Sequence, residues 1–117
     1  MYSENEIKNL FHVLGNPNRL KLFDLLMTGV HCNCELTEIT GMANNLISHH
    51  LKALQDADLI QSGRSTSDAR WIYYSVNKDK IQLVREELQK FLDLSRLSDR
   101  EPVCPPCKTK KEKEKAL

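Results

Sequence analysis

Among the side chains of this sequence that can do chemistry, the four cysteines stand out because they fall in two close pairs, Cys32-Asn33-Cys34 and Cys104-Pro105-Pro106-Cys107. Thiolates are soft ligands. Sulfurs one or two residues apart can converge on As(III), Cd(II), Pb(II), Zn(II) or Cu(I), whereas Mg and Ca seek oxygen. The opening segment MYSENEIKN has no basic flank leading into an apolar run, so a cytoplasmic protein is expected, with the thiols serving metal, redox or regulatory chemistry. No Ser/His/Asp set, His-rich box or Gly-rich phosphate loop accompanies them, and no enzyme is expected.

Cys32 and Cys34 straddle Asn33, a candidate helix N-cap, which puts both sulfurs at the positive end of a helix dipole. The competing reading is two small buried hydrophobes, since free cysteine packs well in cores. For Cys104 and Cys107 several readings stand side by side: a share in the first site, a separate ion site, a redox pair, or no role. A redox CxxC normally opens a helix in a βαβ setting, and none is present.

The elements that must position these residues are short. With 117 residues and 40% hydrophobic composition, the chain supports one modest core. No stretch approaches the roughly 20 apolar residues of a membrane span. The net charge is only +1, and residues 108–115, with five Lys and two Glu, contribute +3 of it, leaving −2 on residues 1–107. Recognition of a polyanion must then rest on local placement and on two subunits acting together.

Apolar residues at helical spacing predict a helix from about residue 4 through Ile7, Leu10, Phe11 and Leu14, closed by Gly15. Asn16-Pro17 starts a second, to about residue 28, with Leu20, Phe23, Leu26 and Met27 on one face. A third runs from Asn33 through Leu36 and Ile39 to Gly41. A fourth is capped by Asn44 and buries Ile47, Leu51 and Leu54. Two short helices joined by a tight Gly-containing turn form a helix-turn-helix pattern. Leu59 to Arg64 and Arg70 to Val76 read as strands of a hairpin around a polar turn, residues 65–69. A final helix follows Asn77 and carries apolar residues from Ile81 to Leu97, more than one small domain can bury. The expected fold is mainly α with a β-hairpin: a winged helix-turn-helix domain over residues 1–97 that pairs as a homodimer through its first and last helices, then a flexible Cys- and Lys-containing tail, residues 98–117.

On the fourth helix the outer face presents Asn45, Ser48, His49, Lys52 and Gln55, whose amide, hydroxyl, imidazole and ammonium groups suit base edges and phosphates of double-stranded DNA. An ordinary solvated face is the plain alternative. His50 falls on the inner side and reads as structural. Arg64 and Arg70 flank the wing turn, where they suit the neighbouring backbone or minor groove, or serve only solubility.

The order of elements, with Ile47-Ser48-His49-His50-Leu51-Lys52-Ala53-Leu54 between turn and hairpin and His31-Cys32-Asn33-Cys34-Glu35-Leu36 at the start of the preceding helix, resembles the ArsR/SmtB family of metal-sensing winged-helix repressors over about residues 6 to 95. The resemblance implies that the ion-free dimer holds operator DNA and releases it when As(III) or a soft divalent metal (Cd, Pb, Zn) binds Cys32 and Cys34. Some arsenic-sensing relatives place a third cysteine where this chain has Thr37, so the local box is one sulfur short, and Cys104 or Cys107 could supply it. The family's other sensor, on the last helix, uses His residues that residues 80–97 lack. A further departure is Asp58, where the family usually has Gly. A redox-responsive repressor working through cysteine disulfides is the alternative.

Overall fold

The computed structural model describes residues 1–64, 67 and 70–104. Helix α1 (Glu4–Leu14) starts at Ser3, whose Oγ accepts from the Glu6 N–H. Helix α2 (Pro17–Leu26) starts as its sequence dictates, with Asn16 Oδ1 accepting from the N–H groups of Asn18 and Arg19 and Pro17 at the first position. It ends two residues earlier than its periodicity suggests, and its buried line is Leu22 and Leu26, while Leu20 and Met27 are 51% and 55% exposed. Helix α2 packs against α4, α1 and β3, and its buried line follows from that packing.

Strand β1 (His31–Cys32) is too short to show in a periodicity. It pairs antiparallel with β3 (Ile72–Val76), His31 opposite Tyr74 and Cys32 opposite Tyr73, and β3 pairs with β2 (Ile60–Arg64), giving the order β1-β3-β2. Both wing strands are shorter than expected by their first residue or two. The expected turn lies outside the described residues except for Ser67. Along β3, Tyr74 is buried while Tyr73 is exposed, as alternation requires.

Helices α3 (Asn33–Thr40) and α4 (Asn44–Asp56) are joined by residues 41–43, and Gly41 supplies the left-handed turn at φ 71°. A second left-handed residue ends α4: Asp58 has φ 63°, the Leu59 N–H donates to the Leu54 carbonyl and the Asp58 N–H to that of Gln55. This is the double hydrogen bond that closes helices, at a position that favours glycine. Asn77 holds Asp58 there, its Nδ2 donating to the Asp58 carbonyl and to Oδ1 at 3.1 and 3.2 Å.

The same Asn77 caps α5 (Lys78–Phe91) through its Oδ1. That helix stops short of Leu97, giving way to a 3-10 turn at Leu94–Arg96. Arg96 donates to the Phe91 carbonyl and stacks on the Tyr2 ring. Helix α5 lies against α1 through the Lys80–Glu6 ion pair at 2.8 Å, the Ser3 N–H donating to Glu87, and Tyr2 set edge-on to Phe91. The core joins Leu22, Leu36, Ile47, Leu51, Leu54 and Leu59, all fully buried. Phe11, Leu83, Leu92, Leu94 and Leu97 remain outside it. No described helix is long and apolar enough to cross a membrane. The result is a winged helix-turn-helix domain, mainly α with a small antiparallel sheet.

Candidate thiol site and nucleic-acid interface

Cys32 ends β1 and is itself the N-cap of α3, which corrects the expectation that Asn33 caps the helix. Pairing with Tyr73 holds Cys32 extended, at φ −86° and ψ 160°, and aims its sulfur at the first turn. Its Sγ accepts from the Glu35 N–H at 3.4 Å, and Glu35 Oε1 accepts from the Cys32 N–H at 3.0 Å. This is a capping box with sulfur in the place of a hydroxyl. Cys-x-x-Glu spacing was its signal in the sequence.

Cys34, in the first turn of α3, is exposed, whereas Cys32 is 8% exposed. The two Sγ atoms sit at disulfide distance, with Cα atoms 5.4 Å apart. Of the two opposed readings, convergence at a helix start favours shared chemistry over independent packing. The N–H donor and helix dipole both favour negative charge on sulfur. Such a pair can chelate a soft ion, or lose two electrons and two protons to form a disulfide. The donor set fits two positions of a thiolate-bound ion.

Among the described residues no third His, Cys, Asp or Glu joins them. Cys104 is half-buried in the tail, and Cys107 lies outside the described residues. Beside the pair, the His31 ring contacts the Gly29 carbonyl through Nδ1 at 2.7 Å. Thr37, at the position where some arsenic-sensing relatives are expected to carry a third sulfur, places its Oγ1 2.9 Å from both the Asn33 carbonyl and the Asn44 side-chain amide.

That contact engages the Asn44 side chain, which was expected to cap α4. Asn44 is the first residue of α4 rather than its cap; the cap is Ala43, which offers no side chain to the helix N–H groups. On α4 the residues Asn45, Ser48, His49 and Lys52 are exposed and Gln55 is half-buried, opposite buried Ile47, His50, Leu51 and Leu54. Asn45 Oδ1 accepts from the Leu46 N–H. Gln55 Nε2 donates to Ser62 Oγ at 2.9 Å, tying α4 to β2. Lys52 pairs with Asp56 at 3.5 Å, with both side chains more than two-thirds exposed, an interaction of little energetic weight. Exposed Arg64 ends β2 and Arg70 precedes β3, so both lie on the wing.

His50 is 4% exposed and its Nδ1 is buried with no hydrogen-bond partner among the described residues. Burial, then the positive charge of Arg19, then His49 push its pKa below the ordinary 6.5, so the ring is held neutral. It braces α4 from within, leaving its outer face to His49.

Residues 16–62 match the family model described as bacterial regulatory protein, arsR family. The arsenical resistance operon repressor of Bacillus subtilis (strain 168) is 36% identical over 80 residues, 67% of this chain and 73% of that protein. Its counterpart in Staphylococcus xylosus is 28% identical over 107 residues, 92% of this chain and 96% of that one. A solved ArsR family transcriptional regulator superposes with a TM-score of 0.67 over 84% of this chain and 99% of its own, at 20% identity.

Proposed function

The chain belongs to the arsR family of bacterial regulatory proteins, and from that premise we propose that it is a homodimeric operator-binding repressor whose Cys32 and Cys34 sense a soft ion, As(III) foremost. The observation that carries this reading is the convergence of the two sulfurs on the first turn of α3, the helix leading into α4. Likeness to arsenical resistance operon repressors supports the choice of ion.

In the ion-free dimer, Asn45, Ser48, His49, Lys52 and Gln55 read the major groove while Arg64 and Arg70 hold the flanking backbone or minor groove. The exposed apolar residues Phe11, Leu83, Leu92, Leu94 and Leu97, on and just beyond α1 and α5, support a twofold dimer. Two copies of α4 then address half-sites about 34 Å apart. Symmetry also answers the unfavourable net charge, because each weak half-site interaction counts twice.

Parting the Cys32 and Cys34 sulfurs to admit an ion draws the Cys32 sulfur away from the Glu35 N–H and resets the first turn of α3. A coupling of about 1–3 kcal/mol suffices to weaken operator binding some five- to hundredfold. Cys104 and Cys107 are proposed to complete the sulfur set. The test is fluorescence anisotropy on a cognate operator in reducing buffer. Arsenite or Cd(II) should lower affinity for the wild type but not for Cys34→Ser, whose exposed side chain takes no part in capping. An unresponsive wild type sinks the sensing claim.

The disulfide-distance contact also favours a second reading, redox control. Peroxide would oxidise the pair to a disulfide, its two oxygens leaving as water with the two thiol protons. Operator affinity that changes with peroxide but ignores thiophilic ions would select this reading.

A further inference from the structure

We propose that Thr37 and Asn44 are positioning residues that pass the state of the Cys32–Cys34 pair to α4; the inference rests on the ion-sensing reading above. Helix α4 lacks a side-chain cap of its own, because Ala43 occupies the cap position. The threonine nearer the turn does not clasp α4 either: Thr40 Oγ1 donates to the Leu36 carbonyl and accepts from the Met42 N–H, on the α3 side. Among the described residues, the hydrogen bond that joins the side chains of α3 and α4 is that of Thr37 with Asn44.

The other contact of the same hydroxyl gives this bond its meaning. Thr37 Oγ1 also lies 2.9 Å from the carbonyl of Asn33, the residue between the two cysteines. A hydroxyl has one proton and donates fully to one acceptor at a time. Two arrangements therefore exist. In one, Thr37 donates to the Asn33 carbonyl and accepts from the Asn44 amide N–H₂. In the other, the Asn44 amide is turned by half a rotation and Thr37 donates to its oxygen. The two amide orientations have the same shape and differ only in hydrogen bonding.

Which arrangement prevails depends on where the Asn33 carbonyl points, and that is set by the turn that carries both sulfurs. When the Cys32 and Cys34 sulfurs part to admit an ion between them, the Asn33 peptide that joins them turns with them. Its carbonyl withdraws from Thr37, and the Thr37 hydroxyl turns to donate to the Asn44 amide oxygen instead. The Asn44 amide then reverses at the first residue of α4, next to Asn45. This is a two-state element that the thiol site biases at one end and the DNA-facing helix biases at the other.

The experiment is a mutant cycle of Thr37→Val, Asn44→Ala and the double variant, with Thr37→Ser as the conservative control. Arsenite or Cd(II) binding is followed by sulfur-to-ion charge-transfer absorption, and operator affinity by anisotropy with and without the ion. Each single variant should bind the ion with wild-type stoichiometry. The ratio of the two affinities should fall about fivefold, the loss expected from one hydrogen bond. The double variant should lose no more than either single one, and Thr37→Ser should restore the ratio. In the ion-free protein, denaturant stability should show the same non-additivity. Thr37→Val or Asn44→Ala with an undiminished ratio, in a protein whose wild type responds, overturns this inference alone. A wild type that takes up the ion and keeps its operator overturns the sensing reading and this inference with it.

Discussion

Replacing Cys32 separates its capping role from the ion-binding role proposed for it, because serine and alanine remove the thiolate alike but only serine can still cap. Cys32 is 8% exposed, and its Sγ is the acceptor for the Glu35 N–H. Cys32→Ala leaves that N–H without its cap, at a cost of about 1 kcal/mol, and empties a small buried volume for about 1 kcal/mol more. Cys32→Ser places a preferred capping oxygen in the same position and should stay within about 0.5 kcal/mol of the wild type. For a domain of this size about 2 kcal/mol corresponds to roughly 8 °C or more in Tm. The assay is thermal unfolding in reducing buffer at one protomer concentration, since the proposed dimerisation would make Tm concentration-dependent. The expected order is wild type close to Cys32→Ser, both well above Cys32→Ala, with neither variant releasing operator on arsenite addition. Equal destabilisation by Ser and Ala would falsify the capping argument. Ion-dependent release retained by Cys32→Ser would remove Cys32 from the site.

Two further outcomes are expected. The folded state keeps His50 neutral below the ordinary pKa of 6.5, so its stabilisation is complete above that value and is lost as pH falls through it. Urea midpoints should therefore drop below pH 6.5, by at most about 1.4 kcal/mol per pH unit from this group; His50→Leu should flatten the drop and exposed His49→Gln should not. Leu94 and Leu97 are 79% and 78% exposed, so the Leu94→Glu/Leu97→Glu variant should keep its helix content yet sediment as a monomer with weakened operator binding. A dimer that survives this change places the interface elsewhere.

Several local rules held because they act over three or four residues. Asn16-Pro17 started α2, Asn77 capped α5, and Ile47, Leu51 and Leu54 turned inward as their spacing required. Asp58 shows how a departure from pattern is absorbed. The chain adopts the left-handed turn regardless, and a residue 19 positions away secures it. Leu20 shows a limit of periodicity, since α2 alone offers two nearly equivalent apolar lines and only its packing against α4, α1 and β3 selects Leu22 and Leu26.

By itself the sequence determined the succession of helices and hairpin, the inner and outer faces of α4, and the presence of two sulfurs at the start of the helix before it. Hydrophobic periodicity and cap chemistry write these into neighbouring residues. What only the tertiary structure decided depends on residues distant in the chain. Strand β1 exists because Cys32 finds Tyr73, some forty positions on, and that pairing makes the cysteine rather than Asn33 the cap of α3. Asn44 gives up the capping role that its type suggests because Thr37 engages its amide. His50 is buried and neutral because α4 is packed on α2, where Arg19 stands beside it. No periodicity encodes such contacts, because their free energy appears only when the elements meet.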